Sequence, residues 1–210
     1  MSATESTKPA RKRRQDGERS RAAILRAAAE LATIEGLEGL SIGRLAEHVG
    51  MSKSGLFAHF GSKEELQLAT IDTASQIFEE DVVRPALQAP TALGRVEALC
   101  SEFLRHVESG VFPGGCFFAS VAAEMDTRPG PVRDAAAEIV GGWLGLIEQS
   151  VAQAQLEGAI DPGEEPAQLA FELNALLLLG NASFVISRDP VAVERARRGI
   201  RRRLAGAGTS

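Results

Sequence analysis

Tyrosine is absent from this 210-residue chain, and the other aromatic residues are scarce, with 9 Phe and 1 Trp. Only 2 Cys are present, which excludes a disulfide framework and makes a reducing cytoplasm the simplest compartment. The first 20 residues carry basic side chains without an apolar stretch behind them, so no signal peptide is expected. The most apolar run, Leu173 to Ile186, is too short to span a bilayer and predicts a buried helix.

The formal net charge of −5 alone argues against a nucleic-acid partner. The charges are unevenly distributed, however. Residues 1–70 hold 11 Lys or Arg against 9 Asp or Glu, residues 71–193 hold 6 against 18, and residues 194–210 hold 6 against 1. The acidic middle segment should be repelled by DNA, so we expect any DNA contact to come from the N-terminal third.

The hydrophobic periodicity beyond Gly17 is helical, and no segment alternates as a strand would. The sequence therefore predicts an all-α fold of about nine helices, with a small N-terminal unit and a larger C-terminal one. We expect a disordered basic arm over residues 1–17, a small helical unit over residues 18–65, and a larger helical unit over residues 66–210.

Serine residues mark the starts of three predicted helices. Ser41, Ser52 and Ser62 each precede an apolar periodic segment and are candidate N-caps. Glu65 follows Ser62 at the spacing of a capping box. The helix that begins after Ser62 should run to about Val83 and end at Pro85.

The stretch from Leu40 to Phe60 has the layout of a helix-turn-helix, in which two short helices flank a turn containing Gly50. Its first helix should pack on its second through Ala46 and Leu56. The second helix would then expose a face that is small enough to enter a major groove about 12 Å wide. That face comprises Ser52, Lys53, Ser54, Gly55, Ala58 and His59.

At this point the segment 18–70 resembles the TetR/AcrR family of one-component bacterial transcriptional regulators. The residues that carry the resemblance are Ala46, Gly50, Ser52, Leu56, His59, Phe60, Ser62, Lys63 and Leu66. The resemblance implies a helix-turn-helix DNA-binding domain over residues 18–65 and a ligand-binding and dimerisation domain over residues 66–210. It implies a homodimer that binds double-stranded palindromic operator DNA. It further implies a repressor that a small-molecule effector releases, with no enzymatic activity and no cofactor.

Carried over by position, the family's DNA contacts fall on Ser41, Ile42, Ser52, Lys53, Ser54, Gly55, Phe57, Ala58, His59 and Lys63. Many relatives have Tyr where Phe57 and Ala58 stand, and its hydroxyl binds a phosphate. This chain has no Tyr, so at least one such contact must be lost or replaced. The basic arm with Arg13 and Arg14 is the candidate replacement, because such arms follow the backbone or enter a minor groove.

The resemblance also implies an effector cavity among the C-terminal helices. The candidate lining residues are Phe103, His106, Cys116, Phe117, Val121, Met125, Trp143 and Ile147. Each of them could equally be a core residue, and an apolar lining would suit an apolar or amphipathic small molecule. Nothing electropositive neighbours Cys100 or Cys116 in sequence, so both are interpreted as buried apolar residues rather than redox sensors.

The helix that contains Leu173, Leu176, Leu177 and Gly180 is apolar around most of its circumference. We expect these four residues in a dimer interface, with burial inside one protomer as the alternative. The arginine-rich segment from Arg195 to Arg203 either forms a second nucleic-acid patch or pairs with acidic neighbours.

Two other classes of function remain open at this point. The chain could be an all-helical small-molecule-binding or scaffold protein without operator binding. An enzyme is unsupported, because the sequence has no His-Glu-x-x-His, no Cys-x-x-Cys and no serine elbow. Gly50 and Gly55 have a phosphate-loop spacing, but Leu56 and Phe57 follow where Lys and Ser or Thr are required.

Overall fold

The computed structural model describes residues 8–125 and 129–209, with side chains from residue 17 onward except at positions 122, 123 and 125. The helices are α1 (Lys8–Glu35), α2 (Ile42–Val49), α3 (Lys53–Phe57), α4 (Lys63–Phe78), α5 (Arg84–Ala86), α6 (Ala92–Ser109), α7 (Phe117–Met125), α8 (Pro131–Leu156), α9 (Pro166–Ser187) and α10 (Pro190–Ala207). A π-helical turn, Glu79–Val83, joins α4 to α5 in one continuous rod. The predicted all-α fold is confirmed, and within the described ranges extended backbone pairs only at an isolated bridge between Ile160 and Gly208.

Helix α1 begins at Lys8, which corrects the expectation of a disordered arm over residues 8–17, while residues 1–7 of that predicted arm lie outside the described residues. The segment 10–15 consists only of strong helix formers. Pro9 stands in the first turn, where its missing N–H has no helical partner to lose. The basic segment from residue 8 onward therefore extends α1 rather than forming a separate arm.

The N-terminal unit encloses a small core between α1, α2, α3 and the start of α4. Leu45, Leu56 and Phe60 are fully buried there. Gly50 ends α2 with a φ of 68°, a left-handed conformation that a β-carbon would strain. This geometry is the one that the turn between the two short helices requires.

The predicted serine N-caps of this unit are confirmed. The hydroxyls of Ser41, Ser52 and Ser62 each accept a hydrogen bond from the backbone N–H three residues later, at 3.3, 3.1 and 3.0 Å. The Glu65 carboxylate also reaches back, although it accepts from the N–H of Gly61 at 3.1 Å. Both helices of the motif and α4 therefore begin where the sequence places them.

Pro85 does not end the α4 rod, because the rod continues through the π turn to Ala86. In an α-helix the carbonyl oxygen of Asp81 would accept from the N–H of residue 85, which proline lacks. That oxygen instead accepts from Nη2 of Arg105 on α6 at 2.6 Å. Asp81 Oδ2 also lies 3.2 Å from Nδ1 of His106. The rod is thus fastened to α6 at its π turn.

Helix α9 is 22 residues long and passes a membrane-span test by length and composition, although a core helix passes the same test. It packs on α8 and α10. Leu173 and Leu177 are fully buried in this chain, and a β-carbon at Gly180 would lie 2.7 Å from Cβ of Ala196. Leu176 is half-buried over Gly199. This corrects the predicted dimer face, since these residues face α10 and the chain's own core.

The opposite face of α9 remains uncovered in the single chain. Phe171, Leu178, Leu179 and Ile186 are 64%, 41%, 66% and 86% exposed. Their spacing follows one side of a helix over four turns. The sequence signal for an apolar circumference was therefore correct, but the side that is free for a partner is not the predicted one.

Candidate nucleic-acid interface and effector cavity

Helix α3 presents a small polar face to solvent. Ser52, Lys53, Ser54 and Ala58 are exposed, and Gly55 is half-buried. The Ser52 and Ser54 hydroxyl oxygens lie 3.3 Å apart. The arrangement holds short polar side chains at the start of the helix, where they can reach the base edges of a major groove.

Lys53 is the cation at the centre of this face. No described side chain forms an ion pair with its ammonium group. Arg44 on α2 is also exposed, but it pairs with Glu35 and Glu47. Within the described residues of the α2–α3 segment, Lys53 is therefore the positive charge that is available to a phosphate or a base.

Lys63 is engaged within the chain, and its predicted contact with phosphate stays a prediction. Its Nζ donates to the carbonyl oxygen and to Oε1 of Glu38, both at 2.7 Å. The side chain is half-buried against the turn between α1 and α2. Lys63 thus fastens α4 to that turn, and a phosphate would have to compete with Glu38 for it.

The remaining predicted DNA contacts lie around the edge of α3. Phe57 is 56% exposed, whereas Ser41, Ile42 and His59 are half-buried. Arg13 and Arg14 belong to α1 by backbone, but their side chains lie outside the described residues. The structure thus brings the α3 residues together on one surface and leaves the contribution of the two arginines a prediction.

A cavity of about 210 Å³ lies among α4, α6, α7, α8 and α9. Its lining residues are Phe78, Phe103, Cys116, Phe118, Ala119, Ile139, Val140, Trp143, Asn174 and Leu178. Phe103, Cys116 and Trp143 are candidates that the sequence supplied. The wall contains no charged side chain, and Asn174 is its single strongly polar residue.

Four other candidates do not line this cavity, and a fifth, Met125, cannot be placed. Phe117, Val121 and Ile147 are buried in the surrounding core, because they lie on other faces of their helices. His106 is buried behind Phe78, with the two ring centroids 5.8 Å apart. Met125 ends α7, but its side chain lies outside the described residues.

The sequence reasoning missed Asn174, although a signal for it was present. Asn174 interrupts an otherwise apolar run, and buried amides need a partner. Its Oδ1 accepts a hydrogen bond from Nε1 of Trp143 at 3.0 Å, so α8 and α9 are joined at the cavity wall. Phe78, Ala119, Ile139, Val140 and Leu178 carry no comparable signal, since each is an ordinary apolar residue on a helix.

Burial controls the titration of the groups around the cavity. It raises the pKa of the Cys100 thiol to about 12 and that of the Cys116 thiol to about 11. It lowers the pKa of His106, against the opposing effect of Asp81. Both thiols therefore stay protonated at neutral pH, which does not favour redox sensing.

Metal chemistry finds no support in the part of the chain that the structure describes. No three His, Cys, Asp or Glu side chains there are grouped so that they could hold a metal ion.

A capped helix-turn-helix joined to a helical unit with an apolar cavity defines a DNA-binding transcriptional regulator.

Comparisons with family models agree with this class. Residues 24–70 match bacterial regulatory proteins of the tetR family, and residues 92–200 match the tetracyclin repressor-like C-terminal domain. The chain belongs to the tetR family of bacterial regulatory proteins. No curated protein sequence matches it significantly.

Solved structures share the fold over most of the chain. A TetR regulator from Chloroflexus aurantiacus is similar at 23% identity with a TM-score of 0.84, covering 92% of this chain and 98% of that one. A TetR-family regulator from Streptomyces coelicolor is 22% identical with a TM-score of 0.76, covering 90% and 97%. AibR in complex with isovaleryl coenzyme A and operator DNA is 25% identical with a TM-score of 0.69, covering 86% and 95%.

Proposed function

We propose that this regulator is a repressor that binds a palindromic operator as a homodimer and is released by a small apolar or amphipathic effector. The observation that carries the proposal is the face of α3, where the unpaired ammonium group of Lys53 stands among exposed small polar side chains. Leu56 holds this helix from below by complete burial. Such a face combines backbone attraction with room for direct contact to base edges.

The homodimer is supported by the uncovered face of α9. Four large apolar side chains exposed along one helix leave an apolar surface in water, and its burial contributes roughly 25 cal/mol per Å². A second copy would cover the same face by two-fold symmetry. The two α3 helices of such a dimer would read half-sites about 34–36 Å apart, or a multiple of that spacing.

The effector class follows from the cavity. Its wall is aromatic and aliphatic, and the Asn174 amide offers one polar contact. AibR, by its structure, holds isovaleryl coenzyme A together with operator DNA. A volume of about 210 Å³ here suits a small ring compound or a short acyl chain rather than a complete coenzyme.

Release of DNA would be transmitted by the α4 rod. Phe78 lies in the cavity wall near the C-terminal end of α4, while Lys63 lies at its N-terminal end against the DNA-binding unit. An effector that binds better to a rod position unsuited to the groove spacing would lower operator affinity. It can do so only to the extent of its different affinities for the two states.

Operator binding is tested by fluorescence anisotropy of duplexes tiled across the region upstream of the chain's own gene. We expect the unchanged chain to bind one duplex with strong salt dependence. Lys53→Ala should weaken binding at least about tenfold, in line with the loss of one base or phosphate contact. Arg198→Ala, which removes an exposed cation from α10, is the matched control and should bind normally. Equal binding by both variants would contradict the assignment of α3.

Effector binding has a built-in probe, because Trp143 is the single Trp of the chain and lines the cavity. An uncharged aromatic compound such as N-phenyl-1-naphthylamine should change Trp143 emission and lower operator affinity at the same concentrations. Val140→Phe narrows the cavity and should weaken both effects together. A panel of ring and acyl compounds extends the test. Release of DNA by an effector would be contradicted if compounds of this panel changed Trp143 emission and none of them changed operator affinity.

A further inference from the structure

A carboxylate from α7 holds the turn that precedes the helix-turn-helix. The two oxygens of Glu124 accept from the backbone N–H groups of Leu37 and Glu38, at 2.7 and 2.8 Å. These contacts join residues 87 and 86 positions apart in the chain. Hydrogen bonds to an ionised acceptor are about twice as strong as neutral ones. The contact therefore fixes the turn between α1 and α2 to the effector-binding unit.

The turn is shaped to receive this carboxylate. Gly36 has a φ of 81°, and a β-carbon there would lie 2.9 Å from both Glu124 oxygens. Any other residue would be strained in this conformation and would also displace the carboxylate. Close to it, the Gly114 N–H donates to the hydroxyl of Thr33 at 3.1 Å, so α1 is held at a second point.

The same turn is bound to the first turns of α4. Lys63 donates to Glu38, and Nε2 of Gln67 donates to the carbonyl oxygen of Leu37 at 2.8 Å inside the core. Helix α2 starts at Ile42, soon after the turn ends. A shift of the turn therefore moves the beginning of α2 and the cation at the head of α4.

The other end of α7 forms part of the cavity wall. Phe118 and Ala119 line the cavity, and Glu124 follows on the same helix. With a rise of about 1.5 Å per residue, roughly 8 Å of helix separates the wall from the carboxylate. A helix of this length moves as a rigid piece, so a displacement at the wall reaches the turn.

We propose that Glu124 is a positioning residue that couples occupancy of the cavity to the placement of the helix-turn-helix. This coupling rests on the proposed function of the cavity, and it adds to the α4 rod a second route through α7. A ligand that pushes Ala119 outward displaces the Glu124 carboxylate, and the turn follows because two of its N–H groups are bound there. Without the carboxylate, the cavity and the turn respond independently along this route.

The test uses cavity-filling substitutions in the full chain, so that no effector has to be known. Ala119→Leu fills the cavity from α7 and Val140→Phe fills it from α8. The measurement is amide hydrogen exchange of Leu37 and Glu38, with and without Glu124→Ala. We expect each filling substitution to change exchange at these amides at least fivefold in the otherwise unchanged chain. In the Glu124→Ala background the change should be less than twofold.

Two comparisons separate coupling from simple loss of a contact. Glu97→Ala removes an exposed carboxylate from α6 and should leave the fivefold response intact. If Glu124→Ala fails to fold, Glu124→Gln takes its place. Gln keeps the size of the side chain and one accepting oxygen, so this variant should retain only part of the response. A full response in the Glu124→Ala chain, or none in the unchanged chain, would overturn the proposal.

Operator binding of the same variants keeps the two proposals apart. Filling the cavity should lower the operator affinity of the unchanged chain at least fivefold, with a smaller loss in the Glu124→Ala background. If no duplex binds the unchanged chain, the proposed repressor function fails. The exchange measurement still decides whether Glu124 carries the coupling.

Discussion

Phe57 is an apolar residue at the edge of the polar α3 face that we propose binds DNA. Its ring is 56% exposed next to the small polar side chains of α3. The family resemblance places a phosphate contact here, where many relatives have Tyr. A phenyl ring cannot donate a hydrogen bond, so the chain binds DNA without the contact that a hydroxyl would supply.

Phe57→Tyr should strengthen operator binding about tenfold. The added hydroxyl can donate to a phosphate, and a hydrogen bond to a charged group contributes roughly 1.5 kcal/mol at the low end. Fluorescence anisotropy with the operator duplex measures the gain. Phe57→Leu supplies no donor and is expected to stay within twofold of the unchanged chain. A Tyr variant that binds no better than the Leu variant would place position 57 away from the phosphates.

His106 is a buried group whose two protonation states differ in their effect on stability. Burial lowers its pKa in the folded chain, although Asp81 acts in the opposite direction. The unfolded chain, with a pKa of about 6.5, then binds the proton more readily than the folded chain. The stability that neutral His106 contributes is therefore present above about pH 6.5 and is lost as the pH falls through the lower folded pKa.

The pH dependence is tested by comparing the melting temperatures of the unchanged chain and His106→Gln. Gln can still bond Asp81 but does not titrate in this range. The unchanged chain should be the more stable of the two at pH 7.5, and its advantage should shrink on acidification to pH 5. A constant or growing advantage would show that burial does not control His106.

At the scale of elements, local signals predicted the N-terminal unit well. The three serine caps, the turn at Gly50 and the spacing of Leu45 and Leu56 all depend on residues close together in the chain. The features that local signals missed are contacts between distant segments. The position of Lys63 depends on Glu38, and the buried side of α9 depends on Ala196, neither of which periodicity can reveal.

The π turn and the residues of the cavity wall could not be predicted from the sequence, because both also depend on contacts between distant segments. Pro85 indicates that a helix must change, but only the donor on α6 decides that the rod continues instead of ending. The cavity wall takes one to three residues from each of five helices, so its membership depends on how those helices pack. Aromatic content alone drew attention to Phe103 and Trp143 while leaving Asn174 unnoticed.

The free face of α9 leads to a prediction about assembly. Leu179→Glu places a charge in the middle of the uncovered face, away from the cavity wall, and should convert dimers to monomers by raising the dimer dissociation constant at least a hundredfold. Sedimentation equilibrium measures the change. Val191→Glu, at an exposed apolar position on α10, should leave the assembly state unaltered. Dimers that persist in Leu179→Glu would place the interface elsewhere.

Across the whole molecule, charge separates the two functions. The proposed DNA-binding face of α3 has an unpaired cation at Lys53, while residues 71–193 carry 18 acidic against 6 basic residues. The arginine-rich segment of α10 is partly engaged within the chain, since Arg197 pairs with Glu108 and Arg203 with Glu164 and Glu172. The net negative charge of residues 71–193 disfavours contact of this segment with DNA, which agrees with the proposed recognition by the N-terminal unit.

The cavity wall includes residues of the two elements that connect it to the N-terminal unit, the α4 rod and α7. Phe78 belongs to the α4 rod, and Phe118 belongs to α7, whose Glu124 binds the turn before α2. A ligand between them can alter the two connections together. Under the proposed coupling, a bound effector changes the operator affinity by the same factor by which bound operator changes the effector affinity.

Footprinting on DNA tests directly whether the two α3 helices of a homodimer read a palindromic operator. The full chain is titrated on the DNA upstream of its own gene, together with Lys53→Ala and Arg198→Ala. We expect one protected near-palindrome with half-site centres about 10 base pairs apart or a multiple of that spacing. Arg198→Ala should protect it equally, whereas Lys53→Ala should require at least about ten times more protein. Protection without two-fold symmetry, or equal protection by Lys53→Ala, would contradict operator recognition by paired α3 helices.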